Sequence, residues 1–159
     1  MDLPAHQYLD QHGIPYRRLS FPDSTEKGAA NVARVLGFSE RQMIKTLIFE
    51  VIDTGERVLI MVGGDQSAKS GLLKKALGSR NIQMAKPEAV LAQTGYVIGS
   101  IPPFHWQSEG FRSFLDQSLM GEKELGVGAG QWGEEIIITP ADLVKASRAQ
   151  VAELVEAVP

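Results

Sequence analysis

The sequence predicts an α+β, mixed-sheet domain, and three observations carry that prediction. Helix-like and strand-like segments are intermixed, with several hairpins where a regular strand–helix–strand alternation would otherwise stand. Two apolar runs, Met43–Ile52 and Arg57–Val62, flank the turn Asp53-Thr54-Gly55. Short helical stretches each stop at a glycine: Gly13, Gly37, Gly78 and Gly95. At 159 residues the chain fits one domain, spanning 1–159, long enough to bury about two-thirds of its unfolded surface.

Taken in order, Pro4–Gln11 reads as a short helix and Ile14–Phe21 alternates enough for a strand. Asp23 and Glu26 have the spacing of a capping box for a helix running through Ala29, Val32, Ala33 and Leu36. Met43–Ile52 is apolar on both faces, which places it centrally in a sheet. Ser70–Leu77 is helical and Asn81–Met84 is a short strand. Pro87 opens the next helix from its first position. A strand over Tyr96–Ile98 feeds a Gly99 loop, and Phe111–Leu115 and Lys123–Val127 are extended. Gly128-Ala129-Gly130-Gln131-Trp132-Gly133 turns the chain into a strand over Glu134–Thr139, and Pro140 starts the last helix.

Composition removes several classes of function. With 43% hydrophobic and 22% charged residues, disorder is not a serious reading. No run approaches the roughly 20 apolar residues of a membrane span, and Met1-Asp2-Leu3-Pro4 has no secretory character, so the expectation is a cytoplasmic protein. The absence of cysteine excludes disulfides, thiolate metal sites and a cysteine nucleophile. His6 and His12 lack the i, i+4 spacing of paired ligands, and only His105 remains beside them, so no metal and no cofactor is expected. A net charge of −3 argues against coating DNA or RNA through a broad basic surface. Local cations such as Arg17, Arg18, Lys74, Lys75 and Arg80 still allow a small footprint on a nucleic acid end.

Two segments attract chemical attention. Lys45 interrupts the apolar run Met43-Ile44-Lys45-Thr46-Leu47-Ile48-Phe49, and a cation there needs a reason such as an anion held in a cavity. The alternative is a strand-end lysine that snorkels to solvent. Gly99-Ser100-Ile101-Pro102-Pro103 is a Gly-x-x-x-Pro loop, or else an ordinary tight turn. The stretch Gly63-Gly64-Asp65-Gln66-Ser67-Ala68-Lys69-Ser70 nearly spells a P-loop, but Ala68 stands where that loop demands glycine. No Gly-x-Ser-x-Gly elbow occurs.

Five segments occur in a telling order: Met43-Ile44-Lys45-Thr46-Leu47, Lys74-Lys75-Ala76-Leu77-Gly78, Thr94-Gly95-Tyr96-Val97-Ile98-Gly99-Ser100-Ile101-Pro102-Pro103-Phe104, Gly128 to Gly133, and Pro140-Ala141-Asp142-Leu143. Together they resemble the YbaK and prolyl-tRNA-synthetase-associated editing domain family, over about Ile14 to Leu143. The resemblance implies a largely antiparallel, curved mixed sheet with surrounding helices. It implies a free-standing aminoacyl-tRNA deacylase that removes a wrong amino acid, chiefly alanine or cysteine on tRNA for proline, with serine or threonine in some branches. A non-catalytic module binding the tRNA end or a synthetase is the alternative reading. The implied partners are the aminoacylated 3′ end of tRNA and prolyl-tRNA synthetase, with no membrane and no DNA.

By the same resemblance, Lys45 and Gly99 carry catalysis. Phe21, Ser100, Ile101, Pro103, Ala129 and Gly130 contact the substrate. Phe21 stands where the family often has tyrosine, and His105 where many members have glycine, which changes the pocket. An aminoacyl ester is already activated, so the task is to hold it, position water and stabilise the oxyanion. The proline-rich loop limits its donors to the amides of Gly99, Ser100, Ile101 and Phe104. The expected chemistry is backbone-led and substrate-assisted, through the ribose hydroxyl or, for cysteine, its own thiol. Lys45 suits either anchoring phosphate or ribose or stabilising the oxyanion.

Overall fold

The computed structural model describes residues 2–156; Met1 and residues 157–159, which the span 1–159 includes, lie outside the described residues. Eight strands form two sheets. The first is antiparallel, in the order β1 (Arg17–Ser20), β7 (Glu134–Ile138), β6 (Leu125–Gly128). The second runs β4 (Ile82–Met84), β2 (Lys45–Val51), β3 (Glu56–Val62), β5 (Ser113–Asp116), β8 (Gln150–Ala152). Here β2 pairs antiparallel with β3 and β4, while β3–β5 and β5–β8 are parallel. The α+β class with a mixed, largely antiparallel sheet therefore holds, divided between two sheets. A bridge between Met43 and Gly126, with the Ile44 amide donating to the Gly126 carbonyl at 2.9 Å, joins them just before β2.

Local chemistry explains the helix ends. The helices α1 (Pro4–Gln11), α3 (Ser70–Leu77) and α4 (Pro87–Thr94) fall where proline starts and glycine stops place them. The helices α2 (Ala29–Leu36), α3 and α4 end on Gly37, Gly78 and Gly95 in the left-handed conformation. The last helix, α5 (Pro140–Ser147), is capped by Thr139, whose hydroxyl accepts from the Asp142 amide at 3.2 Å.

Three expectations are corrected. The Asp23–Glu26 capping box is absent: α2 starts after Gly28, whose φ of 120° only glycine adopts cheaply, and no side chain caps it. Tyr96–Ile98 is a turn, because the Thr94 hydroxyl donates to the Val90 carbonyl and accepts from the Tyr96 amide at 3.0 Å, curling the chain as the helix ends. The predicted strand Ile14–Phe21 shortens to the four residues of β1. The edge strand β8 follows from its parallel pairing with β5, a long-range contact with no local signal.

The larger core cluster lies between the sheets and α1, α4 and α5, with Leu59, Met61, Phe104, Leu115, Leu125 and Ile136 fully buried. The opposite face of the five-stranded sheet buries Val58, Ile60 and Val62 under Leu73 and Leu77 of α3. Thus β3 is apolar on both faces. Its neighbour β2, the strand expected to be central, lies inside the sheet between β4 and β3 but buries only Ile48 and Val51.

Candidate active site

A cavity of about 380 Å3 opens at the seam between the sheets. Its floor is the start of β2, from Met43 to Leu47. Ile98, Gly99 and Ile101 form one wall, Gly128, Trp132 and Glu135 another, and Lys27 to Ala29 with Val32 at the start of α2 a third. The lining is mainly apolar, with ionisable groups only at Lys27, Lys45 and Glu135.

Lys45 is half-buried, and its ammonium donates to the Gln66 backbone carbonyl. Gln66 is itself tightly held. Its side-chain oxygen accepts from the Gly63 amide at 2.7 Å and its amide nitrogen donates to the Ser118 hydroxyl at 2.9 Å. That hydroxyl donates to the carboxylate of buried Asp116, which also accepts from the amides of Leu154 at 2.8 Å and Val155 at 3.2 Å. The P-loop-like stretch is thereby a bracket for Lys45. Its Gly63 amide is occupied, and a Cβ at Gly64 would lie 2.3 Å from the Glu40 carbonyl oxygen. This leaves no room for a phosphate cradle there.

The Gly-x-x-x-Pro loop meets β2 directly, since the Thr46 hydroxyl donates to the Ile101 carbonyl at 3.3 Å. Gly99 has φ of 102°, which demands glycine, while a Cβ there would meet no atom within 4 Å. The requirement is conformational rather than one of close packing. Among the described residues the amides of Gly99 and Ile101 donate to no acceptor, whereas the Ser100 amide reaches the Val97 carbonyl at 3.5 Å. Two free donors therefore stand on residues lining the cavity.

Glu135, which sequence reasoning missed, is the most perturbed group of the cavity. It is 8% exposed, makes no hydrogen bond or ion pair among the described residues, and burial pushes its carboxyl up to about 8. Lys45 does not pair with it. Pairing with Leu19 of β1 and Gly128 of β6 turns Glu135 inward, and Gly126 leaves room for it: a Cβ there would be 3.2 Å from its carboxylate and 2.4 Å from the Met43 methyl. Its legible signal is an acid immediately before Ile136-Ile137-Ile138 on a buried strand. Lys27, also missed, lies 3.9 Å from the centre of the Trp132 ring.

The structure thus gathers Lys45, Gly99 and Ile101 on one cavity. Phe21 stands behind it, edge-on to Trp132 at 4.9 Å. Ser100, Pro103, Ala129 and Gly130 are not among the lining residues. Gly130 packs against the Tyr96 ring, and Ser100 backs onto Gly128. His105 lies outside this cavity and meets the Tyr96 hydroxyl through Nε2 at 2.6 Å.

Comparison with known proteins places this geometry in context. Residues 23–146 match the aminoacyl-tRNA editing domain. A candidate Cys-tRNA(Pro)/Cys-tRNA(Cys) deacylase, EbsC of Enterococcus faecalis, is 28% identical over 94% of this chain and 91% of its own length. The multifunctional Ser/Thr-tRNA deacylase ProXp-y of Escherichia coli is 26% identical over 90% of this chain and 86% of its own. A crystal structure of a candidate trans-editing enzyme for prolyl-tRNA synthetase superposes with a TM-score of 0.86 at 28% identity, covering 97% of this chain and 96% of that one.

Proposed function

The chain belongs to the aminoacyl-tRNA editing domain family, and from that premise we propose that it is a trans-editing deacylase for mischarged tRNA, acting on tRNA for proline that carries alanine or cysteine. The whole span 1–159 is read as one such domain. The observation that carries the proposal is one mainly apolar cavity lined by Lys45, by Gly99 and Ile101 with their unpaired amides, and by the buried Glu135.

The cavity contains no serine, cysteine or histidine, and its single hydroxyl, on Thr46, is bound to the Ile101 carbonyl. Hydrolysis by direct attack of water on the activated ester fits that set better than a covalent intermediate. The Gly99 and Ile101 amides stabilise the oxyanion, and Lys45 anchors the ribose or phosphate of the terminal adenosine. Glu135 receives the α-ammonium of the amino acid. About 380 Å3 suits a small side chain, though one methylene discriminates by only ~1–3 kcal/mol, so alanine and cysteine overlap.

The test is deacylation of tRNA for proline charged with alanine, cysteine, serine, threonine or proline, beside Lys45→Ala. The expected result is selective hydrolysis of a non-cognate ester that the variant loses. Binding of the acceptor end without turnover on any ester would replace the enzyme by a non-catalytic binding module.

A further inference from the structure

A second cavity, of about 370 Å3, lies between α1, the segment after the Gly-x-x-x-Pro loop and the end of α5. Its polar lining is Tyr8, His12, His105, Gln107, Lys145 and Arg148, with no carboxylate among them. Among the described residues neither Lys145 nor Arg148 belongs to an ion pair; the Arg148 guanidinium reaches only the Gln107 carbonyl, at 3.3 Å. Burial holds His105 below the ordinary imidazole range, and the permanent cations of the cavity are Lys145 and Arg148.

The backbone marks the same place. His105, with φ of 80°, and Arg148, with φ of 57°, are the two non-glycine residues with positive φ among those described, and both line this cavity. Where α2, α3 and α4 end in the left-handed conformation the residue is glycine; where α5 does, it is Arg148. Strain of this kind persists where a side chain has work to do. Lys145 and Arg148 also suit the negative end of α5, but a dipole role asks for neither the strained arginine nor the histidine opposite it.

A chain of contacts runs from this cavity toward the first one. His105 Nε2 meets the Tyr96 hydroxyl at 2.6 Å, and the Tyr96 ring packs on Gly130, two residues from cavity-lining Gly128. His105 of this cavity is thus linked, through Tyr96 and Gly130, to the segment that forms one wall of the candidate active site. We propose that this second cavity binds a backbone phosphodiester of the tRNA, away from the reacting ester, with Lys145 and Arg148 as its cations and His12 and Gln107 as further polar partners. The proposal rests on the tRNA reading above. It also explains how a chain of net charge −3 holds a polyanion: through one local basic pocket.

The test is binding of uncharged tRNA to the full chain as a function of salt, which requires no turnover. Lys145→Gln/Arg148→Gln is compared with Lys86→Gln/Lys123→Gln, which removes the same charge from exposed positions elsewhere. The first pair is expected to weaken binding at least ~5-fold and to reduce the salt slope by about one to two, with the second pair near wild type. Arg148→Gly, which removes the charge and relieves the backbone, is expected to weaken binding too, so a folding defect cannot imitate the result. Equal losses from both pairs, or no loss from the first, overturn the proposal. Saturable binding of inorganic phosphate at His12 and His105 without any tRNA binding also overturns it, in favour of a small free anion. Salt-dependent binding through this pocket in a protein that hydrolyses no ester sustains it while the deacylase reading fails.

Discussion

Replacing Glu135 with glutamine isolates the consequence of burying an unpaired acid. The carboxyl titrates near 4.5 in an unfolded chain and at about 8 in the folded one. Below pH 4.5 both forms are protonated and burial costs nothing in linkage. As pH rises from there toward 8 the unfolded chain ionises while the folded chain cannot, so native stability falls across that window. Each pH unit is worth about 1.4 kcal/mol, which makes the penalty about 3 kcal/mol at pH 7. Most of it, about 2.5 kcal/mol, accumulates between pH 5 and pH 7. Glutamine keeps the shape and cannot ionise. Urea unfolding of both proteins at pH 5, 6 and 7 is the assay, because every other titrating group is common to the two. Glu135→Gln is expected to gain on wild type by about 2–3 kcal/mol between pH 5 and pH 7, with m unchanged, a shift of about 4–12 °C in Tm. A stability difference that is flat with pH would refute the buried, uncharged acid.

Two further substitutions probe the bracket and the loop. Gln66→Ala leaves the Gly63 amide and the Ser118 hydroxyl without their partner and loosens the carbonyl that holds Lys45. It is expected to cost about 1–3 kcal/mol in urea unfolding and to raise KM about ten-fold with little change in kcat; an unchanged KM would sever Gln66 from Lys45. Gly99→Ala meets no atom but must hold φ of 102°, so the expected loss is about 1–3 kcal/mol, read as a lower Tm, together with loss of turnover. An alanine variant with native Tm and activity would show that the loop does not need this conformation.

The legible parts of the molecule are those with local causes. Pro87 and Gly95 bracket α4, and Gly78 stops α3, because each acts on its own turn of backbone. Lys45 stood out because its charge contradicts the apolar run around it, and Gly99 because its loop is poor in donors. Glu135 is only weakly legible, for the opposite reason. Glu134-Glu135 at a strand start reads as a solvated pair, and only register with β1 and β6 separates the half-buried first residue from the buried second. Gln66 was hidden inside a false P-loop, since its role depends on Ser118 and Asp116, at least fifty residues downstream. The joining of the two sheets likewise rests on the Met43–Gly126 bridge, which no local pattern announces.

Glu135 also makes the empty cavity and the loaded one electrically different. Empty, the carboxyl is protonated at pH 7, and the apolar walls face a neutral group. Ionising it there costs about 1.4 kcal/mol, the one unit between pH 7 and its titration point. An α-ammonium brought within about 4 Å returns about 4 kcal/mol at an effective dielectric of 20, so the bound cation draws the proton off. The acid thus acts as a counter-ion that appears only when its partner arrives, and Lys45, held by Gln66, is not needed to neutralise it. An aminoacyl-tRNA whose amino group is acetylated keeps its ester and side chain but supplies no cation. Its kcat/KM is expected to fall at least ~10-fold in wild type, and by much less in Glu135→Gln, where the counter-ion is already gone. Equal hydrolysis of free and acetylated substrates by wild type would remove Glu135 from ammonium recognition and leave it as a buried acid with another purpose.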